Sequence, residues 1–284
     1  MERILIIGME SVAAKAIGNA LCDAFEVTTL TPSGNSRNPQ LTAQRLTPTS
    51  LQSTEADTIV FCGGASRSSW DPEFGDLSPE EAWLQPALQK ATDSDAQFVF
   101  VSSDAVFGGP WVFHNDDNTS FDQTESALAI RDYEQQVEAL ESSLIVRTNV
   151  IGDERDHSGI AGRIVERLQQ GESELIDASA CGTPIAATDF AMAVVECLKA
   201  EVSGYLNIAG AERATIWQLA TAVAAAGNFD CDHLVPARGH GRPIERSLRC
   251  ERLRKELQIT TPTLRETAEH IVASIETTAA PIAA

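Results

Sequence analysis

Six short apolar runs punctuate the chain: Ile4–Ile7, Glu26–Leu30, Thr58–Cys62, Phe98–Val101, Leu144–Arg147 and Tyr205–Ile208. Most are rich in β-branched or aromatic residues and unbroken by polar positions. That pattern marks strands buried on both faces, as in a parallel sheet, rather than half-buried antiparallel strands. Between them the spacing turns helical. Val12–Leu21 carries apolar residues at helical intervals, and Pro79–Ala91 reads as a helix with Ser78 as N-cap and Pro79, Glu80 and Glu81 in its first turn. Strands alternating with helices predict an α/β fold: a mostly parallel sheet with helices on both faces.

The run Phe98–Val101 leads straight into Ser102, Ser103 and Asp104. In open α/β sheets the chemistry lies just beyond the carboxyl ends of the strands, so these hydroxyls and this carboxylate are placed to meet a ligand. The competing reading is that they only satisfy backbone groups in a turn. At the N-terminus, strand, Gly8 and helix form the opening of a dinucleotide-binding unit. Its glycine pattern is degenerate, with Ser11 and Ala14 where further glycines would let a pyrophosphate and the helix approach. Gly8, Ser11 and Val12 are the cofactor-side candidates here. After Leu30 no acid stands ready for a ribose, and Arg37 is the one candidate for a phosphate, against the alternative of an incidental loop arginine. The strand Thr58–Cys62 ends in Gly63, Gly64 and Ala65; Cys62 and the two glycines would let a flat ligand lie against the strand end.

Composition narrows the partners. The 284-residue chain has a formal net charge of -20, which argues against nucleic acid and anionic membranes. Of its 21 basic residues only four are lysines, which leaves few places for a catalytic lysine. Six cysteines are scattered with no C-x-x-C pair, and five histidines show no metal-ligand spacing; no metal is expected. His114, after Trp111-Val112-Phe113, is a loop histidine that either faces the pocket or is solvated. The start is too short for a signal peptide and no apolar run has membrane length, so the expectation is a soluble cytoplasmic protein.

A series of ordered segments carries a resemblance. Phe98 to Gly108 resembles the S-[ST]-D-x-V-F-x-G segment of the dTDP-4-dehydrorhamnose reductases, which are extended short-chain dehydrogenase/reductases. Leu144–Gly152 is similar to their L-R-T strand. Gly182-Thr183-Pro184 with Thr188–Ala191, Gly204–Gly210, and Arg242-Pro243 through Pro262–Arg265 resemble their later motifs in order. The resemblance implies a Rossmann lobe over residues 1–152 and a smaller C-terminal substrate lobe over 153–284, with 204–210 returning to the sheet. Asp153–Gln170 would enter the second lobe, Arg213–Ala226 would be a helix, and Val235–Leu257 would flank a nucleotide-sugar.

Members of this family reduce a keto-sugar with NAD(P)H, using a tyrosine acid, a lysine four residues on, and a strand-end Ser or Thr. Ser103 keeps that hydroxyl. Following the family's spacing forward from Ser103, or back from Glu134, leads to Ser126 for the tyrosine and Ile130 for the lysine. Tyr133 is the nearby tyrosine, but on a helix over Ser126–Leu140 it lies about 10 Å further along the axis, at 1.5 Å per residue. Its expected role is packing. Ser103, Asp104, Thr183 and Arg242 are the substrate-side candidates. Arg242 belongs to a basic island with Arg238, Arg246, Arg249, Arg252 and Arg254, and at the matching place in the family an arginine meets the diphosphate. Arg249, Arg252 and Arg254 read as an exposed helix pairing with Glu251 and Glu256. The resemblance implies NAD(P), with binding weakened by Ser11, a nucleotide-sugar ligand and a homodimer. Three functions follow: a nucleotide-sugar- and NAD(P)-binding protein with impaired reductase chemistry, an active NAD(P)H-dependent keto-sugar reductase in deoxysugar biosynthesis, or a non-catalytic regulatory subunit of another enzyme.

Overall fold

The computed structural model describes residues 2–8, 11–36, 38–72, 74–152, 159–171, 173–238 and 244–279, with backbone alone for 275–279. Seven strands form one sheet: β1 (Arg3–Gly8), β2 (Glu26–Thr31), β3 (Thr42–Arg45), β4 (Thr58–Cys62), β5 (Gln97–Ser103), β6 (Ser143–Thr148) and β9 (Gly204–Asn207); outside it β7 (Glu174–Asp177) pairs with β11 (Leu234–Ala237) and β8 (Cys181–Gly182) with β10 (Ala214–Thr215). Their order is β3-β2-β1-β4-β5-β6-β9, and every neighbouring pair is parallel. All six runs read from the sequence lie in this one sheet, although Ile208 falls just past the end of β9. The seventh strand, β3, has the sequence Thr-Ala-Gln-Arg and a largely exposed edge. It offers no apolar run to read; its register with β2 makes it a strand.

The helices cover both faces. The helices α1 (Val12–Leu21) and α6 (Ala187–Lys199) bury one apolar cluster with Ile4, Ile6, Val99, Val101 and Leu144. On the other face, α3 (Ser78–Ser94) and α4 (Glu125–Glu138) close over Leu5, Ile7, Phe61, Phe98 and Phe100. Period-2 alternation sends neighbouring residues of each strand to opposite faces. Helix α3 begins at Ser78 with Leu77 at the cap position and no side-chain cap. Ser78 therefore is not the cap the sequence suggested; its hydroxyl donates to Asp76 Oδ1 at 2.7 Å instead. A third cluster joins α5 (Gly159–Gln170), α7 (Ile216–Gly227) and α9 (Leu264–Ala279) around Trp70, Ile164, Leu219 and Ile271. The expected helix Arg213–Ala226 starts three residues late because Ala214–Thr215 pairs as a short strand, and Thr215 then caps α7.

A buried ion pair joins α4 to the sheet. Arg147 of β6 is 2% exposed and donates from Nε and Nη2 to Glu134 Oε1 and Oε2 at 2.9 and 2.8 Å. Ser102 of β5 donates to the same carboxylate at 2.7 Å, and Arg131 pairs with it as well. Tyr205 and Phe107 hold the Arg147 guanidinium at 4.4 and 4.8 Å from their ring centres. Its Nη1 reaches the Asp116 carbonyl at 3.3 Å. A second buried carboxylate shapes the end of β4. Glu80, in the first turn of α3, accepts from the amides of Gly64 and Ala65 at 3.0 and 2.7 Å. Burial, helped by nearby Asp76, pushes its carboxyl up to about 7 despite those two donors.

Both carboxylates predict measurable effects. Removing one partner of a buried ion pair costs about 3–5 kcal/mol, so Glu134→Ala should lose that much in a urea unfolding titration. Glu80 binds its proton more tightly folded than unfolded, so its stabilising share is full below the ordinary value of 4.5 and is lost as pH rises through about 7. The stability of the wild type minus that of Glu80→Gln should therefore fall between pH 5 and 8, by on the order of 3 kcal/mol. A flat difference would show that Glu80 is not held toward its neutral form.

Candidate functional site

The amino-terminal turn is tight. A Cβ on Gly8 would stand 2.6 Å from the Ala14 Cβ, so glycine lets α1 close onto β1. Ser11 is buried and caps α1, its Oγ accepting from the Ala14 amide at 3.2 Å and from Ser66 Oγ at 3.0 Å. A helix N-terminus offers its free amides to phosphate; here Ser11 already occupies one. Beside this turn opens a cleft of about 780 Å³, with Gly8, Val12, Thr29, Thr31, Ser33 and Asn35 in its walls. Lys15 and Asp23 are its charged residues among those described. The Thr29 hydroxyl is buried with no partner among the described residues. Arg37, the expected phosphate ligand, lies outside the described residues.

At the end of β4 the small residues are pressed by protein. A Cβ on Gly63 would stand 2.5 Å from the Glu80 carboxyl, and one on Gly64 would stand 1.8 Å from the Asp76 carbonyl oxygen. Their smallness admits Glu80 and Asp76 against the strand end. Cys62 is fully buried and burial pushes its thiol far up. Nothing in the sequence around Glu80 distinguished it from an ordinary first-turn glutamate.

The strand-end stretch is also enclosed. β5 runs on through Ser103, so Ser102 and Ser103 pair with Arg147 and Thr148 inside the sheet. Ser103 is fully buried; its Oγ accepts from the Ala105 amide at 3.1 Å and lies 3.4 Å from Asp104 Oδ1. Asp104 is buried too, and burial pushes its carboxyl up to about 6, while Arg246 and the Ser69 and Ser103 hydroxyls act in the opposite sense. A Cβ on Gly182 would stand 2.7 Å from Asn149 Nδ2, 3.2 Å from Asp104 Oδ2 and 3.3 Å from the Trp70 ring. Ser68 donates to Asn149 Oδ1 at 2.5 Å, and the Arg163–Asp71 ion pair ties this loop to α5. Asp104 Oδ2, Asn149 Nδ2, Thr148 Oγ1 and Arg246 Nε are buried without hydrogen-bond partners among the described residues. They are the groups a polar ligand at these strand ends would satisfy. Thr183 is buried and accepts from the Leu248 amide at 3.1 Å. Arg242 lies outside the described residues.

Helix α4 brings the other candidates into view. Ser126 is half-buried in its first turn, and Ile130 is fully buried in the core under β5. Tyr133 is half-buried against the same core; burial, with Glu81 and Glu80 beside it, pushes its phenol up, the opposite of what an acid at neutral pH needs. His114 is neither solvated nor in an open pocket. It is fully buried, stacked on Phe107 with ring centres 4.4 Å apart, and burial lowers its imidazole. In the basic island, Arg252 pairs with Glu256, but Lys255, not an arginine, takes Glu251. Asn149 and Trp70 were not among the candidates read from the sequence; Asn149 lies inside the Leu144–Gly152 segment, which was the available signal.

Among the described residues no helix is long and apolar enough to cross a membrane, and no group of three or more His, Cys, Asp or Glu is poised to hold a metal. A search of curated protein sequences finds no match. Solved structures match the whole fold. A hypothetical dTDP-4-dehydrorhamnose reductase from Sulfolobus tokodaii superposes with a TM-score of 0.75 at 20% identity, covering 92% of this chain and 97% of that one. The Bacillus anthracis dTDP-4-dehydrorhamnose reductase in complex with NADP gives 0.80 at 15% identity over 96% and 99%. The dTDP-glucose 4,6-dehydratase from Bacillus anthracis in complex with NAD gives 0.77 at 14% over 98% of each chain. Residues 84–277 match the profile of the RmlD substrate binding domain. That span is more than half of the chain and includes the strand-end segment, the buried Glu134–Arg147 pair and the Gly182-Thr183 turn: the chain belongs to the RmlD substrate binding domain family.

Proposed function

We propose that this protein is a nucleotide-sugar- and nucleotide-binding relative of the dTDP-4-dehydrorhamnose reductases in which reductase chemistry is impaired. One observation carries the reading. Ile130, to which the family's spacing from Ser103 and Glu134 assigns the lysine (with Ser126 for the tyrosine), is a core residue, and the remaining Ser103 hydroxyl is buried and engaged by the Ala105 amide. Keto-sugar reduction needs a proton donor about 3 Å from the oxygen that becomes charged. Ser103 is a poor acid, and Tyr133 is held away from neutrality on another part of the helix.

The cofactor question divides in two. The cleft beside β1 and α1 has room and hydroxyl groups for the adenosine half of NAD(P), with Thr31, Ser33 and Asn35 as the holding residues. The pyrophosphate half fits poorly, because Ser11 caps the amide that a phosphate would use. A bound NAD(P)H would supply a hydride; the chain's own residues then lack the matching acid.

An active reductase is favoured by one observation, the buried Asp104 carboxyl held toward its neutral form beside Ser103. Kinetics separates the two readings. The wild type should show no measurable NAD(P)H oxidation with dTDP-4-keto-sugars, and Tyr133→Phe should change nothing. Robust turnover abolished by Asp104→Asn would install Asp104 as the acid and overturn the proposal. Calorimetry tests the binding half. Ser11→Gly frees the Ala14 amide, and a hydrogen bond to a charged group contributes about 1.5–3 kcal/mol, so NAD(P) affinity should rise about tenfold or more. The helix cap itself should lose only a few tenths of a kcal/mol.

A further inference from the structure

At the opposite edge of the sheet, beyond the carboxyl end of β9, lies a second pocket of about 560 Å³. Its walls bring together Phe113, Leu248, Ile259, Arg249, Arg254 and Thr261. The volume falls within the ordinary range for small-molecule sites, and apolar walls with a few convergent polar groups are their usual make-up. We propose that this pocket binds a small organic anion of the nucleoside-monophosphate class. This inference is independent of the reading above, since the pocket shares no residue with the cleft at β1 and α1.

Charge carries the argument. In a chain of net charge -20, arginines readily find carboxylates, and Arg131, Arg147, Arg213 and Arg252 each hold one. Arg249 and Arg254 make no ion pair or side-chain hydrogen bond with any described residue, and both are exposed. The one acid in the lining, Glu251, is engaged by Lys255, and both arginines lie near enough to lower its carboxyl further. The pocket's charge, Lys255 included, is therefore net positive. Two guanidinium groups are well suited to phosphate oxygens, which they meet with paired N–H donors. The Thr260 and Thr261 hydroxyls are further donors without a partner among the described residues.

The apolar side has its own geometry. Phe113 stands in the left-handed region with φ 57°, uncommon for a bulky residue, and its amide donates to Ser247 Oγ at 2.8 Å. Its ring lies 5.7 Å from the Arg249 guanidinium. A base or sugar between Phe113, Leu248 and Ile259 would set its phosphate toward the arginines. Inorganic phosphate alone would use only half of the pocket.

Calorimetric titration with AMP and, separately, with inorganic phosphate tests this. AMP should bind the wild type, more tightly than phosphate, and the affinity should fall with added salt. Arg249→Ala and Arg254→Ala should each weaken AMP about tenfold or more, the effect expected from losing one charge-assisted contact. Arg254→Gln keeps the stem and should weaken AMP similarly, with thermal unfolding confirming the fold of each variant. Arg265→Ala, on exposed α9 and paired with Glu269, should change nothing. No AMP binding to the wild type, binding indifferent to both arginines, or phosphate binding as tightly as AMP would each overturn the proposal.

Discussion

The contact on which most of the central fold depends is the buried pair between Glu134 and Arg147. Two charges deep in a protein are costly to desolvate, and they persist only where further hydrogen bonds complete their shells. Here Ser102 and Arg131 complete the carboxylate, and the Asp116 carbonyl and two aromatic rings complete the guanidinium. One network thereby fixes α4 against β5 and β6, and holds the loop after β5 through Phe107 and Asp116. Asp116 extends it to β9, accepting from the Asn207 amide at 2.6 Å. The position of every residue on α4, including Ser126, Ile130 and Tyr133, follows from that anchor.

With α4 fixed and the Ser68–Asp71 loop tied to Asn149 and α5, Ser102, Ser103 and Asp104 lie buried at the middle of the sheet's carboxyl edge. Two open clefts lie to either side, one beside β1 and α1, the other beyond β9. Clefts with hydroxyl or guanidinium linings lie at its flanks, while the Ser103 hydroxyl is buried at its centre.

The sequence disclosed whatever was written as burial. Ile4–Ile7 or Phe98–Val101 can only be strands covered on both faces, and the sheet follows from six such runs. It concealed whatever depends on partners distant in the chain. The strand Thr42–Arg45 exists only because β2 offers its edge. Ser78 looks like a helix cap, yet Asp76 takes its hydroxyl. Glu80 resembles any glutamate of a first helical turn, and only the fold reveals Gly64 and Ala65 at its carboxyl. The strand-end Ser103 and Asp104 were legible as a place, but whether that place is open or enclosed depends on Trp70 and Gly182. His114 shows the same limit, since its environment comes from Phe107 on another turn of the chain.

Ile130 carries a consequence for how this chain can change. The side chain sits in the core beneath β5 among Phe98, Phe100 and Val106, with no solvent contact. An isoleucine gains stability there from every apolar neighbour. A lysine in the same place would bring an ammonium into a space lined by hydrocarbon, and an unpaired buried charge is among the most damaging substitutions a core can receive. The neighbours have closed around the branched side chain, so Ile130→Lys would be strongly destabilising. Packing alone thus bars a cation from this position, and admitting a lysine would require the surrounding core to be rebuilt first.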